Sequence, residues 1–145
     1  MSGAVQCLGL RRNDLQAVKV IAMLVDRGAT ENFVDNKLIP ETEYLMLDYT
    51  VLDKPNKIVT AGQQLLLGIA TGILPGVMTD KSSTKHDVGF PSVIVPRLGH
   101  NLFSFSDAAT KGIKIVIETA NSRLERNDII VLLEQRKEDI ILFSF

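Results

Sequence analysis

Short apolar or alternating segments rich in Val, Ile and Leu recur along the chain, and turn-forming residues separate them. This pattern is typical of an all-β sandwich or barrel, because strands need a side that can be buried and the connections need Gly, Pro, Asn, Asp or Ser. The segments predict strands near 17–25, 44–52, 57–60, 63–74, 76–79, 91–95, 113–118, 129–133 and 140–144.

The breaks between these segments have the chemistry of turns. They are predicted at 53–56, 60–64, 74–76, 79–87 and 122–128. The polar run 79–87 is the strongest loop candidate, and we expect disorder there if anywhere between the strands.

One short helix is predicted near 104–111, in "SFSDAATKG". Either Ser104 or Ser106 can cap its start, and Gly112 can end it. A second short helical turn is predicted after Thr30, which can act as the N-cap for "ENFVDNKL".

Length and composition favour one domain over 1–145, with 1–16 as a flexible N-terminal extension. A chain of 145 residues with 46% hydrophobic residues can close a core of its own. The 16 basic and 17 acidic residues nearly balance, so no nucleic-acid partner is expected.

The chain has a single cysteine, Cys7, which excludes an internal disulfide framework and a zinc site built on paired thiolates. An intracellular, reducing location fits this usage, and the N-terminal sequence lacks the pattern of a secretory signal. The most apolar window, 65–78, contains Pro75 and falls short of the ~20 residues that a membrane span needs. No membrane partner is therefore expected.

The stretch "MLVDRGATENF" (23–33) contains the strongest candidate for a catalytic group. Asp26 follows an apolar strand, and Gly28 comes two residues after it, so its carboxylate would be held rigidly near backbone amides. That arrangement suits a general acid or base. From the residues alone, an aspartate that merely caps a turn remains the alternative.

Two separated stretches resemble the retropepsins, the aspartic proteases of retroviruses and retrotransposons. "VDRGATENFVDNKLI" is similar to their Asp-Ser/Thr-Gly-Ala active-site loop, and "VIVPRLGHNLFSFSDAATKG" (93–112) is similar to the copia-type retrotransposon version of the family. Between them, "IVTAGQQLLLGIATGIL" resembles the copia segment with a glycine-containing hairpin. The resemblance covers roughly residues 18–118, and it implies a closed β-barrel that acts as a homodimer without cofactor or metal.

The resemblance also implies roles for particular residues. Asp26 would be the catalytic aspartate, one per subunit, at the head of an active-site loop that continues through Arg27, Gly28, Ala29 and Thr30. In such a dimer the two aspartates lie close enough to share one proton, and they act as base and acid toward a water molecule and the scissile carbonyl.

A flap and a supporting segment follow from the same resemblance. The flap would span 58–68 and close over a bound peptide, with its tip at Thr60, Ala61, Gly62 and Gln63. The support beneath the active-site loop would be Asn101, Leu102, Phe103 and Ser104. The apolar C-terminal "DIILFSF" would contribute a strand to the dimer interface.

Arg27 departs from the family pattern, in which this position carries Ser or Thr. An arginine has donors but no acceptor, and it stays protonated. If two guanidinium groups remain near the dimer axis, they favour ionisation of both carboxylates. If they swing out, the loops lose a hydrogen-bonded tie across the dimer, so either arrangement predicts weakened catalysis. Arg97 also replaces a glycine that is usual in copia-type chains.

These observations predict an intracellular, cytoplasmic aspartic endopeptidase, associated by resemblance with virus-like particles, that cleaves a retrotransposon polyprotein. Its expected partners are a second copy of the chain and a polypeptide substrate. One rival is an inactive protein of the same fold that dimerises or binds peptides. The other is a monomeric β-barrel that has lost its dimer contacts.

Overall fold

The computed structural model describes residues 20–39, 42–60, 62–135 and 139–144, so Ala61 and the predicted extension 1–16 lie outside them. Strands predominate, and the two helices are short. The elements are β1 Val20–Asp26, β2 Asn32–Val34, α1 Thr42–Leu45, β3 Leu47–Val59, β4 Leu65–Thr79, β5 Lys85–Ile94, β6 Leu102–Ser104, α2 Phe105–Thr110, β7 Lys114–Val116, β8 Arg123–Arg126, β9 Ile129–Leu132, β10 Glu134–Gln135 and β11 Asp139–Ser144.

The described strands form an eight-stranded sheet in the order β10-β11-β1-β6-β2-β5-β4-β3 and a three-stranded sheet β7-β8-β9. β1 lies between two partners that come from distant parts of the chain. It pairs with β6 in parallel, with Asp26 opposite Ser104, and with β11 antiparallel, with Met23 opposite Ile141. This register brings the end of β1 beside the start of α2.

The core lies on one face of β4 and continues under β1 and β6. Alternate residues of β4 are buried, among them Leu66, Ala70, Leu74 and Met78, as the two-residue period of a strand requires. Phe103 of β6 packs edge-on against Phe90, with ring centroids 5.9 Å apart. A smaller cluster of Ala29, Phe33, Leu66, Val93 and Val95 lies under the loop that follows β1.

The all-β prediction is confirmed, whereas the sheets are not closed into a barrel. The order ends at β10 and β3, and within the described residues a single pair, Ser144 with Val77, links β11 to β4. The predicted place of the C-terminal strand in a dimer interface stays a prediction. Within one chain, β11 pairs with β1 from Ile140 to Ser144 and with β10 at Asp139 and Ile140.

Two predicted breaks lie inside continuous strands. β3 continues through 53–56. Its register with β4 shifts between Val51 and Asn56, so the polar stretch forms a bulge or irregularity within the strand. Pro75 lies within β4, opposite Gly89 of β5. A proline is tolerated because the β3 ladder ends opposite Ile73, so one side of β4 has no β3 partner at Pro75.

The short turns were predicted with mixed success. The helical turn after Thr30 is wrong, because Phe33 and Val34 favour an extended chain and pair with β5. The 122–128 turn is also largely wrong, since it contains β8 and the chain reverses after it, with Asn127 in the left-handed region at φ 56. Helix α2 is confirmed, and Gly112, at φ 73, follows its end.

The predicted loop 79–87 is shorter in the structure, because β4 ends at Thr79 and β5 begins at Lys85. Asp80 holds the hairpin turn between them. Its Oδ1 accepts the backbone N–H groups of Ser82 and Thr84 at 2.8 and 2.9 Å. His86 Nε2 lies 2.7 Å from Asp80 Oδ2. The pKa of Asp80 lies below its ordinary value of 3.8. The hydrogen bond with His86 is the largest cause, and the hydrogen bond from the Thr84 backbone is the next.

We expect Asp80→Asn to lower the thermal unfolding midpoint at neutral pH. A carboxyl whose folded pKa is lowered stabilises the fold above its ordinary pKa, and this contribution is lost as the pH falls through the folded value. The difference between the variant and the natural chain should therefore shrink below about pH 4. Melting curves from pH 3 to 7 measure it, with Asp128→Asn in the other hairpin turn as control. A difference that does not change with pH would contradict the assignment.

Within the described residues, no helix is long and apolar enough to cross a membrane.

Candidate active site

β1 carries Asp26 to the start of an exposed loop, where the backbone turns back on the carboxylate. The Gly28 N–H donates to Asp26 Oδ1 at 2.8 Å. Within the described part of the chain, this carboxylate makes no other hydrogen bond. A Cβ at Gly28 would lie 3.5 Å from that oxygen, which is an ordinary contact. The backbone amide, rather than the missing side chain, is what position 28 contributes.

The Arg27 side chain does not line the cleft and lies over the ring of Phe105. Its Cζ is 5.3 Å from the ring centroid, within the range of a cation–π contact. The sheet register explains the contact: Asp26 is opposite Ser104, so the residues that follow each of them are neighbours. The two arrangements predicted for Arg27 concern the axis of a dimer and stay predictions; within one chain the side chain contacts Phe105.

Ser104 ties the loop, strand β2 and helix α2 together at a fully buried position. Its Oγ donates to the Ala29 carbonyl at 2.7 Å and accepts the Asp107 N–H at 3.0 Å, which makes Ser104 the N-cap of α2. Its backbone N–H donates to Asn32 Oδ1 at 2.8 Å. The capping role predicted for either Ser104 or Ser106 therefore falls to Ser104.

We expect Ser104→Ala to lower the free energy of unfolding by about 1–3 kcal/mol, because it removes a helix cap and leaves the buried Ala29 carbonyl without its donor. Urea unfolding followed by circular dichroism measures the loss. Ser106→Ala is the matched control, since Ser106 is exposed and outside this network. Equal stability of the two variants would refute the tie.

A cleft of about 1060 Å³ brings the loop and the predicted flap together. The loop contributes Asp26, Gly28, Ala29 and Thr30 to its wall. The β3–β4 hairpin contributes its side through 56–60, Gly62 and Gln64. The rest of the lining is Leu24, Glu31, Phe33, Leu98, His100 and Leu102. A cleft with mixed apolar and polar walls, lined by the carboxylates of Asp26 and Glu31, is suited to holding an extended peptide.

The tip of the hairpin is a hydrogen-bonded turn. Thr60 N–H donates to the Gln64 carbonyl at 3.0 Å, and Gln63 N–H donates to the Thr60 carbonyl at 2.8 Å. Gln63, not Gly62, occupies the left-handed region, at φ 63. Val59, Leu65 and Leu67 of the hairpin are exposed, and Val59 also lines the cleft.

The predicted supporting segment lies directly beside β1. Leu24 N–H donates to the Asn101 carbonyl at 2.8 Å, and the buried Asn101 side chain accepts the Asp35 N–H at 3.0 Å. Leu102 and Phe103 pair with Leu24 and Val25 in the parallel ladder. All four residues of the segment are thus placed next to the strand that carries Asp26.

Asp35 shows why Asp26 is the better catalytic candidate. Both follow a valine at a strand end, but Asp35 is 3% exposed and its two oxygens accept the N–H groups of Lys37 and Gly99 at 3.0 and 2.9 Å. Asp35 therefore holds the 96–100 turn against β2 and is closed to a substrate. In the sequence, a valine precedes both Asp26 and Asp35, so this pair of residues alone does not distinguish the catalytic candidate from the buried structural aspartate.

Two further residues of the site carried no sequence signal. Asn32 is 1% exposed, and its amide donates to the Pro91 carbonyl at 3.0 Å and to Asp107 Oδ2 at 3.1 Å. Phe105 matters because of its position beside Arg27, which depends on the pairing of β1 with β6.

In the part of the chain that the structure describes, no group of three or more His, Cys, Asp or Glu side chains is placed to bind a metal ion. No protein-family model, curated protein or solved structure matches the chain.

Proposed function

We propose that the chain is an aspartic endopeptidase of the retropepsin type that acts as a homodimer with two copies of Asp26. The observation that carries this proposal is the shared cleft, in which the Asp26 carboxylate and the β3–β4 hairpin line the same space. The resemblance of the 25–39 and 93–112 stretches to retropepsins supports it independently.

The chemistry requires a second carboxylate because one aspartate cannot act as base and acid in the same step. Two Asp26 groups about 3 Å apart share a proton, since both cannot be ionised at that distance. The ionised carboxylate removes a proton from water as the water attacks the peptide carbonyl, and the protonated one donates to the carbonyl oxygen. The pair titrates as a unit.

The Gly28 N–H has a defined part in this scheme. By donating to Asp26 Oδ1, it fixes the carboxylate plane and leaves the second oxygen directed to other partners. The substrate would be an extended polypeptide, held between the active-site loop and the β3–β4 hairpin. By resemblance, the biological substrate is a copia-type polyprotein inside the cell, with no cofactor.

A second candidate function is a peptide-binding or dimerisation module without catalysis, and Arg27 favours it. With arginine in place of Ser or Thr, the side chain at position 27 cannot accept a hydrogen bond from a second copy. Its side chain is directed to Phe105 instead. The cleft would then still bind a peptide, but the active-site loops of the two copies would be joined too loosely for catalysis.

Cleavage of a peptide library at pH ~5, where a shared-proton pair is active, tests the proposal. We expect the natural chain to cut and Arg27→Ser to cut faster, because a hydroxyl restores a donor and an acceptor between the loops. Arg97→Ser is the matched control, an exposed arginine that does not line the cleft.

The outcomes separate the candidates. No cleavage by either chain, together with peptide binding by a dimer, would favour the binding module. A strictly monomeric mass at high protein concentration would exclude the two-carboxylate mechanism.

A further inference from the structure

The position of Arg27 depends on one aromatic ring. The guanidinium lies over Phe105, and Arg27 is exposed and absent from the cleft wall although Asp26 and Gly28 on either side of it line that wall. Within the described residues, Arg27 forms no ion pair with Asp26 or with any other carboxylate. We propose that Phe105 is a positioning residue that holds the Arg27 guanidinium outside the cleft, away from the Asp26 carboxylate.

The backbone presents the ring to Arg27 in a fixed place. Phe105 is the first residue of α2, and Ser104 immediately before it is buried, paired with Asp26 and bonded to the Ala29 carbonyl. The loop and the helix are therefore joined at residues on both sides of the contact. Without the ring, the backbone of Arg27 would stay where it is, but the side chain would lose the group that favours its outward orientation.

An inward guanidinium would change the charge of the cleft near Asp26. The other charged or titratable side chains that line it are Glu31, Lys57 and His100. An added cation beside Asp26 favours ionised carboxylates and works against a shared proton. This catalytic consequence rests on the proposed function, whereas the placement of Arg27 by Phe105 does not.

A double-mutant cycle separates the two parts. The chains are the natural one, Phe105→Leu, Arg27→Ser and the double variant, with Phe105→Tyr as the conservative control that keeps a ring. The first readout is NMR: the ring-current shift of the Arg27 Nε–H signal and the amide shifts of Gly28 and Ala29. Amides in the cleft wall report a cation that has moved inward.

In the natural chain and in Phe105→Tyr, we expect an upfield Arg27 Nε–H signal, and in Phe105→Leu we expect this shift to be lost. Loss of a surface cation–π contact lowers the stacked population relative to other orientations about two- to fivefold. The Gly28 and Ala29 amides should move in Phe105→Leu but not when the same change is made in the Arg27→Ser background. If they move equally in both backgrounds, Phe105 acts through loop structure, and the proposal is wrong. An Arg27 signal without an upfield shift in the natural chain would overturn it as well.

Cleavage provides the second readout. Phe105→Leu should lower kcat/KM about twofold to fivefold and move the high-pH limb of the rate profile to lower pH, with neither change in the Arg27→Ser background. A loss that persists there would count against the positioning role. If every variant is silent in cleavage, the proposed function fails, and the NMR cycle still decides whether Phe105 places Arg27.

Discussion

Asp26→Asn is expected to abolish detectable peptide cleavage, with kcat/KM falling by about 10²- to 10⁴-fold. In a homodimer one substitution replaces both carboxylates, so neither the base nor the acid remains. An asparagine Oδ1 can still accept the Gly28 N–H, which is the one hydrogen bond of the Asp26 side chain among the described residues. The loop should keep its shape, and the loss should be chemical rather than structural.

The measurement is a kcat/KM comparison on a cleaved peptide, made in the natural chain or, if that is too slow, in the Arg27→Ser background. Asp53→Asn is the matched control, because Asp53 is an exposed carboxylate of β3 that does not line the cleft. Equal melting curves for the two variants would show that both are folded. Undiminished cleavage by Asp26→Asn would exclude Asp26 as the catalytic group.

Deletion of 140–145 is expected to unfold the chain rather than only to weaken association. β11 is the antiparallel partner of β1 from Val20 to Leu24, and Ile141 in it is fully buried. Without β11, the β1 strand loses its hydrogen-bonded partner on one side, and the core loses a wall. We expect the lost interactions to be comparable in free energy to the whole stability of a typical domain, which is roughly 5–15 kcal/mol.

Ile141→Ala tests the same idea with a single side chain. We expect a loss of about 2–5 kcal/mol in the free energy of unfolding, from lost burial and the cavity that remains. Ile129→Ala is the matched control, since Ile129 is 37% exposed on β9. If the truncated chain stays folded and merely becomes monomeric, β11 belongs to the association surface as the sequence had suggested.

The strand-rich character and helix α2 could be predicted because their signals are local. The short apolar runs and the 104–112 stretch contain what is needed within a few residues, including the cap and the terminal glycine. β2 and β6 escaped prediction because each is three residues long and is defined by its partners. The pairing of Phe33 with Leu102, for example, joins segments far apart in the chain.

The candidate site divides in the same way. The roles of Asp26 and of the hairpin around Gly62 were suggested by the resemblance to retropepsins, and both line one cleft in the structure. The orientation of Arg27 was left between two alternatives, because it depends on a ring that only the register of β1 with β6 brings near. Asp26 and Asp35 likewise differ in burial, which two similar Val-Asp pairs cannot reveal.

The placement of β1 between β6 and β11 also has a kinetic consequence. Val20 pairs with Ser144, so a strand near the beginning of the described chain completes its ladder with one of the final residues. Contacts between such distant segments cost loop-closure entropy before they contribute stability. Domains that are rich in such contacts therefore fold slowly, in roughly milliseconds to seconds. During synthesis on the ribosome, β1 cannot complete this ladder until residue 144 has been made, and its unpaired edge is open to other nascent copies until then.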